Sequence, residues 1–203
     1  MLAGGGRFAV NLGEILEELG YTIVGYTDVK STGLRWSYLG DDHIAGQGKF
    51  PENTFIVIAV GTSIQLREQL FKHWSGFHLP LLTFIHPQAF VSRCSEVSEG
   101  CILFPQSYVG PNVVLKQNVV LCSGAIVEHD TVIGEHSYLA PGAVINGSVT
   151  VGEKCMFGSN STVVDGVQIA DEVVVGAASL VLHSVSSSRS TLVGVPGRIL
   201  PTE

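Results

Sequence analysis

The segment Val127-Glu128-His129-Asp130 places a histidine between two carboxylates. A histidine accepts a proton near neutral pH, so it can act as a general base that deprotonates an attacking amine or hydroxyl. A carboxylate beside the ring fixes its tautomer and raises its basicity. Adjacent side chains of a strand face opposite ways, so Asp130 does not reach His129 in a regular strand. The carboxylate partner of His129 is therefore Asp130 placed by a turn, Glu128, or an acid of another subunit. By residue type alone, His129 also fits an ordinary surface histidine.

A run of three glycines near the start of the chain is followed by an acid. Gly4-Gly5-Gly6 precede a predicted helix, and Asp28 stands 22 residues after Gly6. Such a turn can bind phosphate at a helix N-terminus, with the acid on a ribose hydroxyl. Only Met1-Leu2-Ala3 stand before the glycines, so the strand that should precede them is missing or shortened. A purely structural turn is the alternative.

Metal-binding patterns are weak in this sequence. A catalytic zinc site can use three histidines, and the second part of the chain offers His129, His136 and His183, at spacings of seven and 47 residues. The cysteines form no C-x-x-C pair. We therefore expect no metal site.

A six-residue repeat organises the second part of the chain. Steps of six from Val91 to Val181 give sixteen positions, all of them aliphatic or Phe, which we call anchors. The residue two places before each anchor is small or β-branched, and Gly often follows the anchor. This pattern predicts short strands joined by tight corners, with three faces per coil and each anchor stacked on the anchor eighteen residues away. We expect about five coils, with the glycines after the anchors relieving the turns.

The first part of the chain lacks this repeat. It alternates predicted helices and strands, which favours a small α/β domain with a parallel sheet. The elements are a helix over Phe8–Leu19, strands over Thr22–Tyr26 and Thr54–Val60, a helix over Ser63–Trp74 and a strand over Leu81–Ile85. We expect two domains, 1–84 and 85–203.

Composition excludes several classes of protein. Of the 203 residues, 45% are hydrophobic and 14% charged, which excludes intrinsic disorder. The net charge of −7 argues against a nucleic-acid polymer or an anionic membrane as partner. The sequence has neither an apolar stretch long enough to span a bilayer nor a signal-peptide pattern. We expect a cytoplasmic protein that does not bind membranes.

Several of these features together resemble one family. They are the glycine-rich start, the junction Ile85-His86-Pro87, the unbroken hexads, Val127-Glu128-His129-Asp130 and the ending Val193-Gly194-Val195-Pro196-Gly197-Arg198. The chain resembles hexapeptide-repeat sugar acetyltransferases of the sialic acid O-acetyltransferase and UDP-amino-sugar N-acetyltransferase (NeuD/PglD-like) type. This resemblance implies a Rossmann-like α/β N-terminal domain followed by an all-β left-handed parallel β-helix. It also implies a homotrimer that binds acetyl-CoA between neighbouring β-helices and a sugar nucleotide partly through the N-terminal domain.

The resemblance also assigns roles to residues. His129 becomes the catalytic base with Asp130 beside it, and Gly147, one coil further on, offers an N–H to the thioester oxygen. The pantetheine arm of the cofactor is expected beside Gly158, Ser159, Gly176 and Ala177. Arg198 is expected at a CoA phosphate. Gly4, Gly5, Gly6 and Asp28 correspond to the nucleotide-binding loop and its acid.

Two of the assigned positions depart from the family pattern. Tyr138 stands where the family often has a second histidine that contacts the thioester region, so we expect Tyr138 near the cofactor. Cys122 stands where an asparagine near the acceptor is common, so we expect it near the substrate. Arg7 replaces the histidine that usually follows the glycines. These changes leave the reaction class in place and the identity of the acceptor open.

The sequence thus predicts an acetyl-CoA-dependent acetyltransferase that acts on an amino or hydroxyl group of a sugar, which is expected to be nucleotide-linked. One alternative is a non-catalytic protein that binds a sugar nucleotide or serves in assembly. The other is a β-helical zinc enzyme of the carbonic-anhydrase type, for which the three histidines would have to meet.

Overall fold

The computed structural model describes residues 1–45 and 48–200. The chain forms two compact units, Met1–Leu82 and Thr83–Glu203. Residues 201–203, which end the predicted second domain, lie outside the described residues. No helix in the described part of the chain is long and apolar enough to cross a membrane.

The first unit is an α/β unit with a small parallel sheet, as the alternation of elements predicts. Its sheet has the strand order β2-β1-β3. The elements are β1 (Leu2–Ala3), α1 (Arg7–Glu18), β2 (Tyr26–Thr27), α2 (Asp42–Ala45), β3 (Val57–Ile58) and α3 (Ile64–Ser75). The strand before the glycines, which the sequence predicts to be missing or shortened, is present in shortened form as the two residues of β1. It is the central strand, and because it pairs only two residues on each side, its neighbours are shorter than predicted.

The second unit is a parallel β-helix with three faces, so the fold predicted from the hexads is confirmed. Face 1 contains β4 (Phe84–Ile85), β7 (Ile102–Leu103), β10 (Val120–Leu121), β13 (Tyr138–Leu139), β16 (Met156–Phe157), β19 (Val174–Val175), β21 (Thr191–Val193) and the antiparallel β22 (Arg198–Ile199). Face 2 contains β5 (Phe90–Val91), β8 (Tyr108–Val109), β11 (Ile126–Val127), β14 (Val144–Ile145), β17 (Thr162–Val163) and β20 (Leu180–Val181). Face 3 contains β6 (Glu96–Val97), β9 (Val114–Leu115), β12 (Val132–Ile133), β15 (Thr150–Val151) and β18 (Gln168–Ile169).

The coils stack with the predicted spacing of eighteen residues. Val127 pairs with Val109 on one side and with Ile145 on the other. These anchors are fully buried, and the small residues two places before the anchors fill the same interior. The repeat begins one strand earlier than Val91, because β4 already pairs with β7. With six strands on face 2, the β-helix has about six turns and exceeds the predicted five.

The corners take their shape from residues in the left-handed region of backbone space. From Val97 to Val175, one such residue stands three places after each anchor. At one corner these residues are Asn112, Asp130, Ser148 and Gly166, with φ of 58°, 57°, 57° and 70°. The glycines directly after the anchors, by contrast, do not have positive φ, so the prediction that they relieve the turn is wrong. These positions need glycine because neighbouring coils approach closely there. A Cβ on Gly134 would lie 2.3 Å from the carbonyl carbon of Gly152 on the next coil.

We therefore expect Gly134→Ala to destabilise the β-helix. The added methyl group meets backbone atoms, which cannot move aside as a flexible side chain can. Overpacking of this kind costs about 1–3 kcal/mol, which should lower the Tm by roughly 3–10 °C in a thermal melt. Gly166→Asn is the matched control. Its site is open, and other corners of this β-helix already use Asn at similar φ, so a Tm loss as large as that of Gly134→Ala would contradict this explanation.

Candidate active site

His129 lies two residues after its anchor, at the corner where the chain passes from face 2 to face 3. Its Nδ1 is 2.9 Å from Oδ2 of Asp130. Adjacent side chains can meet here because Asp130 has the left-handed φ of 57°, which turns its side chain away from the alternation of a strand. Of the three routes that the sequence left open, the turn is the one that the structure shows.

A third residue joins this pair. Nδ2 of Asn112 donates a hydrogen bond of 2.9 Å to Oδ1 of Asp130, so each carboxylate oxygen has its own partner. Asn112 precedes Asp130 by eighteen residues and occupies the same corner one coil earlier. Sequence reasoning missed Asn112, although the spacing of the coils was the signal that could have found it.

The charges around His129 favour a basic imidazole. The hydrogen bond that His129 donates to Asp130 raises the pKa of His129 above its usual value, with further contributions from the charges of Asp130, Glu128 and Asp165. Hydrogen bonds from Asn112 and His129 lower the pKa of Asp130, so this carboxyl stays ionised near neutral pH. With Nδ1 bound to a carboxylate, we assign the ring proton to Nδ1, which leaves the lone pair of Nε2 available. The His129 side chain is 56% exposed, so a substrate can reach it.

Gly147 lies one coil after His129 and packs against its ring. A Cβ at this position would lie 2.6 Å from Cε1 and 2.7 Å from Nε2 of His129. The Gly147 N–H, which we predicted to support the thioester oxygen, donates instead to Oδ1 of Asp165 at 2.9 Å. The structure thus gives Gly147 a different part: the missing side chain leaves room for the imidazole.

The two positions that depart from the family pattern contact each other. Sγ of Cys122 donates to the hydroxyl of Tyr138 at 3.0 Å, and both side chains are buried. Tyr138 lies in β13 on face 1, and Cys122 follows β10 of the same face. The two replacements therefore form one hydrogen-bonded pair between neighbouring coils.

The residues expected to hold the cofactor gather at the corner between faces 1 and 2. Gly158 and Ser159 follow β16, and Gly176 and Ala177 follow β19. The structure supplies a packing reason for both glycines, since a Cβ on Gly158 would lie 2.4 Å from the Ala177 amide nitrogen and one on Gly176 would meet the Val193 side chain at 2.9 Å. Ala177 is exposed and Ser159 half-buried, so this corner presents a surface of small side chains.

Arg198 lies at the end of face 1 and is exposed. It belongs to β22, where it pairs with Val193. The structure thus brings His129, Asp130 and Gly147 together at one corner. Cys122, Tyr138, Arg198 and the small-residue surface lie on face 1 or at its corner with face 2, and they do not join His129 within one chain.

The predicted nucleotide loop lies in the first unit. The N–H of Gly5 donates to Oδ2 of Asp28 at 3.0 Å, so the two parts of the predicted motif do meet. Gly4 has a φ of 117°, and a Cβ there would crowd Val60, which gives this glycine a structural reason. Gly6 caps α1 and faces open space. Its amide is at the helix N-terminus, where an anion can be bound.

The three histidines of the zinc alternative do not meet. His136 is buried at another corner, where Nδ2 of Asn118 contacts its Nδ1 at 2.9 Å. His183 follows β20, three coils away from His129 on the same face. Across residues 1–45 and 48–200, no group of three or more His, Cys, Asp or Glu side chains is placed to hold a metal ion.

Comparison with known proteins gives a family match over the β-helix. The family of the GMPPB C-terminal domain matches residues 85–192, which is more than half of the chain. No curated protein matches the sequence.

Solved structures match over nearly the whole length. The acetyltransferase domain of PglB from Neisseria gonorrhoeae FA1090 has a TM-score of 0.90 and 23% identity, covering 98% of each chain, and has also been solved with acetyl coenzyme A. PerB from Caulobacter crescentus, solved with CoA and GDP-perosamine, has a TM-score of 0.80 and 26% identity over 98% of this chain and 96% of that chain. A histidine-to-asparagine mutant of that perosamine N-acetyltransferase was solved with the same two molecules. WeeI from Acinetobacter baumannii AYE has a TM-score of 0.68 and 17% identity over 98% of each chain.

We expect Gly147→Ala to lower activity with little loss of stability. Gly147 does not have positive φ, so Ala fits its backbone, and the clash falls on the movable His129 ring. A ring displaced by about 1 Å can cost roughly 100-fold in rate. The measurement is kcat for acetyl transfer alongside a thermal melt, with Gly134→Ala as the variant that should lose stability instead. Full activity in Gly147→Ala would show that the ring needs no such space.

Proposed function

The chain belongs to the family of the GMPPB C-terminal domain, and we propose that it transfers the acetyl group of acetyl-CoA to an amino or hydroxyl group of a nucleotide-linked sugar. The main observation is the His129–Asp130 pair, in which the His129 side chain is more than half exposed at a corner of a parallel β-helix. This pair is what acetyl transfer to an amine or hydroxyl requires of a protein: a base that is neutral and oriented.

The structural neighbours support this reaction. PerB has been solved with CoA and GDP-perosamine and PglB with acetyl coenzyme A, on folds that match this chain over its whole length. The sequence resemblance to hexapeptide-repeat sugar acetyltransferases is confirmed by these neighbours. The histidine mutants of perosamine N-acetyltransferase support the choice of a histidine as the base.

In the proposed reaction His129 moves one proton twice. Its Nε2 accepts the proton of the sugar amine or hydroxyl as that group attacks the acetyl carbon, and Asp130 stabilises the imidazolium that forms. His129 then returns the proton to the departing sulfur, so that CoA leaves as the thiol and the acetylated sugar remains. Acetyl-CoA, when bound, supplies the activated carbonyl group.

The acceptor can be identified by measuring acetyl-CoA consumption with a panel of nucleotide-linked amino sugars and sialic acids.

We propose that the pantetheine arm of acetyl-CoA lies along the corner between faces 1 and 2. Ser159 and Ala177 offer small side chains there, and Gly158 and Gly176 allow the coils beneath them to pack closely. Arg198 at the end of face 1 is a donor for a CoA phosphate. Tyr138 is on the same face, where the family often has a histidine near the thioester.

A second copy of the chain would bring these two corners together. In one chain the base and the cofactor surface are at opposite sides of face 2, and the cavities of about 300 and 250 Å³ are not lined by His129. Face 2 is apolar on its outer side, with Phe90 exposed and stacked on Tyr108, followed by Ile126 and Val144. We therefore propose a homotrimer in which the cofactor surface of one subunit faces His129 of its neighbour.

The finer fold assignments are part of this proposal. We assign a left-handed coil to the β-helix and a Rossmann-like role to residues 1–84, with 85–203 as the acyltransferase domain. The sugar nucleotide would contact Gly4, Gly5, Gly6 and Asp28, and the contact between Gly5 and Asp28 supports a common site. Cys122 is proposed near the acceptor. The use of acetyl-CoA and a sugar nucleotide fits a protein of the cytoplasm.

We expect His129→Ala to lower kcat by about 100- to 10,000-fold, the range that a general base contributes. His129 is more than half exposed, so its removal should leave the melting temperature unchanged. The measurement is CoA release from acetyl-CoA with the best acceptor of the panel. His183→Ala, which removes an exposed histidine three coils away, is the control and should keep wild-type kcat. Wild-type turnover in His129→Ala would disprove its assignment as base.

The pH dependence of kcat should report the contact with Asp130. Only neutral imidazole accepts a proton, so activity falls as the pH drops below the pKa of His129, which Asp130 raises. In Asp130→Asn this pKa is lower, so the acidic limb should move to lower pH while the plateau also falls, because the ring is no longer held in its tautomer. Glu128→Gln removes a charge that raises the pKa of His129 less than Asp130 does, so it should shift the acidic limb less. An unchanged limb in Asp130→Asn would contradict the role of Asp130.

A further inference from the structure

We propose that Asn112 is a positioning residue of the active site, which holds the carboxylate of Asp130 in the orientation that engages His129. This inference rests on the proposed function. The three side chains form a chain of two hydrogen bonds, from Asn112 Nδ2 to Asp130 Oδ1 and from Asp130 Oδ2 to His129 Nδ1, each of 2.9 Å.

The β-helix itself determines this arrangement. Asn112 and Asp130 occupy the same corner in consecutive coils, and both have nearly the same left-handed φ, 58° and 57°. The amide nitrogen of Asp130 also donates to the carbonyl of Pro111 at 2.9 Å, which holds the two corners in register. Two side chains that leave equivalent backbone positions about 4.8 Å apart are spaced for a direct hydrogen bond.

An exposed carboxylate such as Asp130 needs a second hydrogen-bond partner in order to stay in one orientation. The Asp130 side chain is 53% exposed, and a pair between exposed charged groups gains little because its side chains remain free to rotate. A second hydrogen bond on the other oxygen fixes the plane of the carboxylate and leaves Oδ2 directed at the imidazole. The same logic applies to metal-bound histidines, whose outer partners orient the ring.

Asn112 suits this part because it donates a hydrogen bond and carries no charge. The other groups whose charges act on His129 are Glu128 and Asp165, and both raise its pKa together with Asp130. A lysine at position 112 would compete with the imidazole for the carboxylate. The neutral amide orients Asp130 and leaves its full charge to the ring.

The left-handed corner by itself also explains an asparagine at position 112, so the experiment must distinguish this structural role from the positioning of Asp130. Asparagine tolerates left-handed φ better than most residues, so its type alone fits the corner. Asn112→Gly separates the two parts, because glycine accepts this φ at no steric cost and removes only the amide. Lys154→Gly is the matched control, since Lys154 stands at an equivalent corner with φ of 57° and pairs with Glu153, away from His129.

In Asn112→Gly we expect kcat to fall roughly 3- to 10-fold, the scale of a typical net intramolecular hydrogen bond at a site open to water, with KM nearly unchanged. The acidic limb of the pH profile should also move to lower pH, because a mobile Asp130 raises the pKa of His129 less. Lys154→Gly should match the wild type in kcat and in the position of this limb. Wild-type values in Asn112→Gly would overturn the proposal.

A double-mutant cycle tests whether Asn112 acts through Asp130. Asp130→Gly keeps the corner conformation and removes the carboxylate, so adding Asn112→Gly to it should change kcat no further. If the two effects multiply instead, Asn112 acts directly on the substrate or on the fold, and the proposed role is wrong.

The pKa of His129 gives a readout that does not depend on turnover. NMR titration of the histidine ring protons, with the His129 signal identified by its loss in His129→Gln, should show a lower pKa in Asn112→Gly and not in Lys154→Gly. If the wild-type protein transfers no acetyl group to any acceptor, the proposed function fails, and this titration still decides whether Asn112 orients Asp130. An unchanged pKa would overturn the positioning role whatever the activity.

Discussion

The stacking of residues eighteen apart along the chain is the constraint on which the second unit depends. It places each anchor on another anchor, and it places each corner residue on the corner residue of the next coil. The interior and the site follow from the same spacing. Val127 is buried between Val109 and Ile145, and two places further on His129 lies one coil before Gly147. A side chain in this β-helix therefore has its nearest partners one coil above and one coil below.

Polar contacts throughout the β-helix repeat this geometry. Asn112 bonds to Asp130, Asn118 to His136, and the amide of Gly147 to Asp165, each across one coil. The contact between His129 and Asp130, by contrast, lies within a single corner, and it exists because Asp130 adopts a left-handed conformation. Backbone strain that an ordinary loop would have to compensate is here part of the repeat, since the other corners use the same conformation. The site is thus built from the regular fold without an inserted loop.

Glycine has three separate functions in this architecture. At corners such as Gly166 it accepts a left-handed φ, which Asn112 and Asp130 accept as well. After an anchor, as at Gly134, it lets two coils approach so closely that no side chain fits. Gly147 is a third case, since its missing side chain is filled by the ring of His129. One residue type thus supports the turn, the packing and the site, and only the coordinates distinguish the three.

The sequence by itself determined the parallel β-helix and its spacing, because a strict period of six leaves few other ways to bury one apolar residue per repeat. It also indicated that Gly5 and Asp28 belong together. The tertiary structure alone decided that Asp130 reaches His129 through a turn, that Asn112 completes this contact, and that the Gly147 amide is bound to Asp165. It also decided that Cys122 and Tyr138 form one pair. The reason is physical: periodicity fixes which residues point inward, whereas a contact between polar side chains depends on backbone angles and on distances between coils.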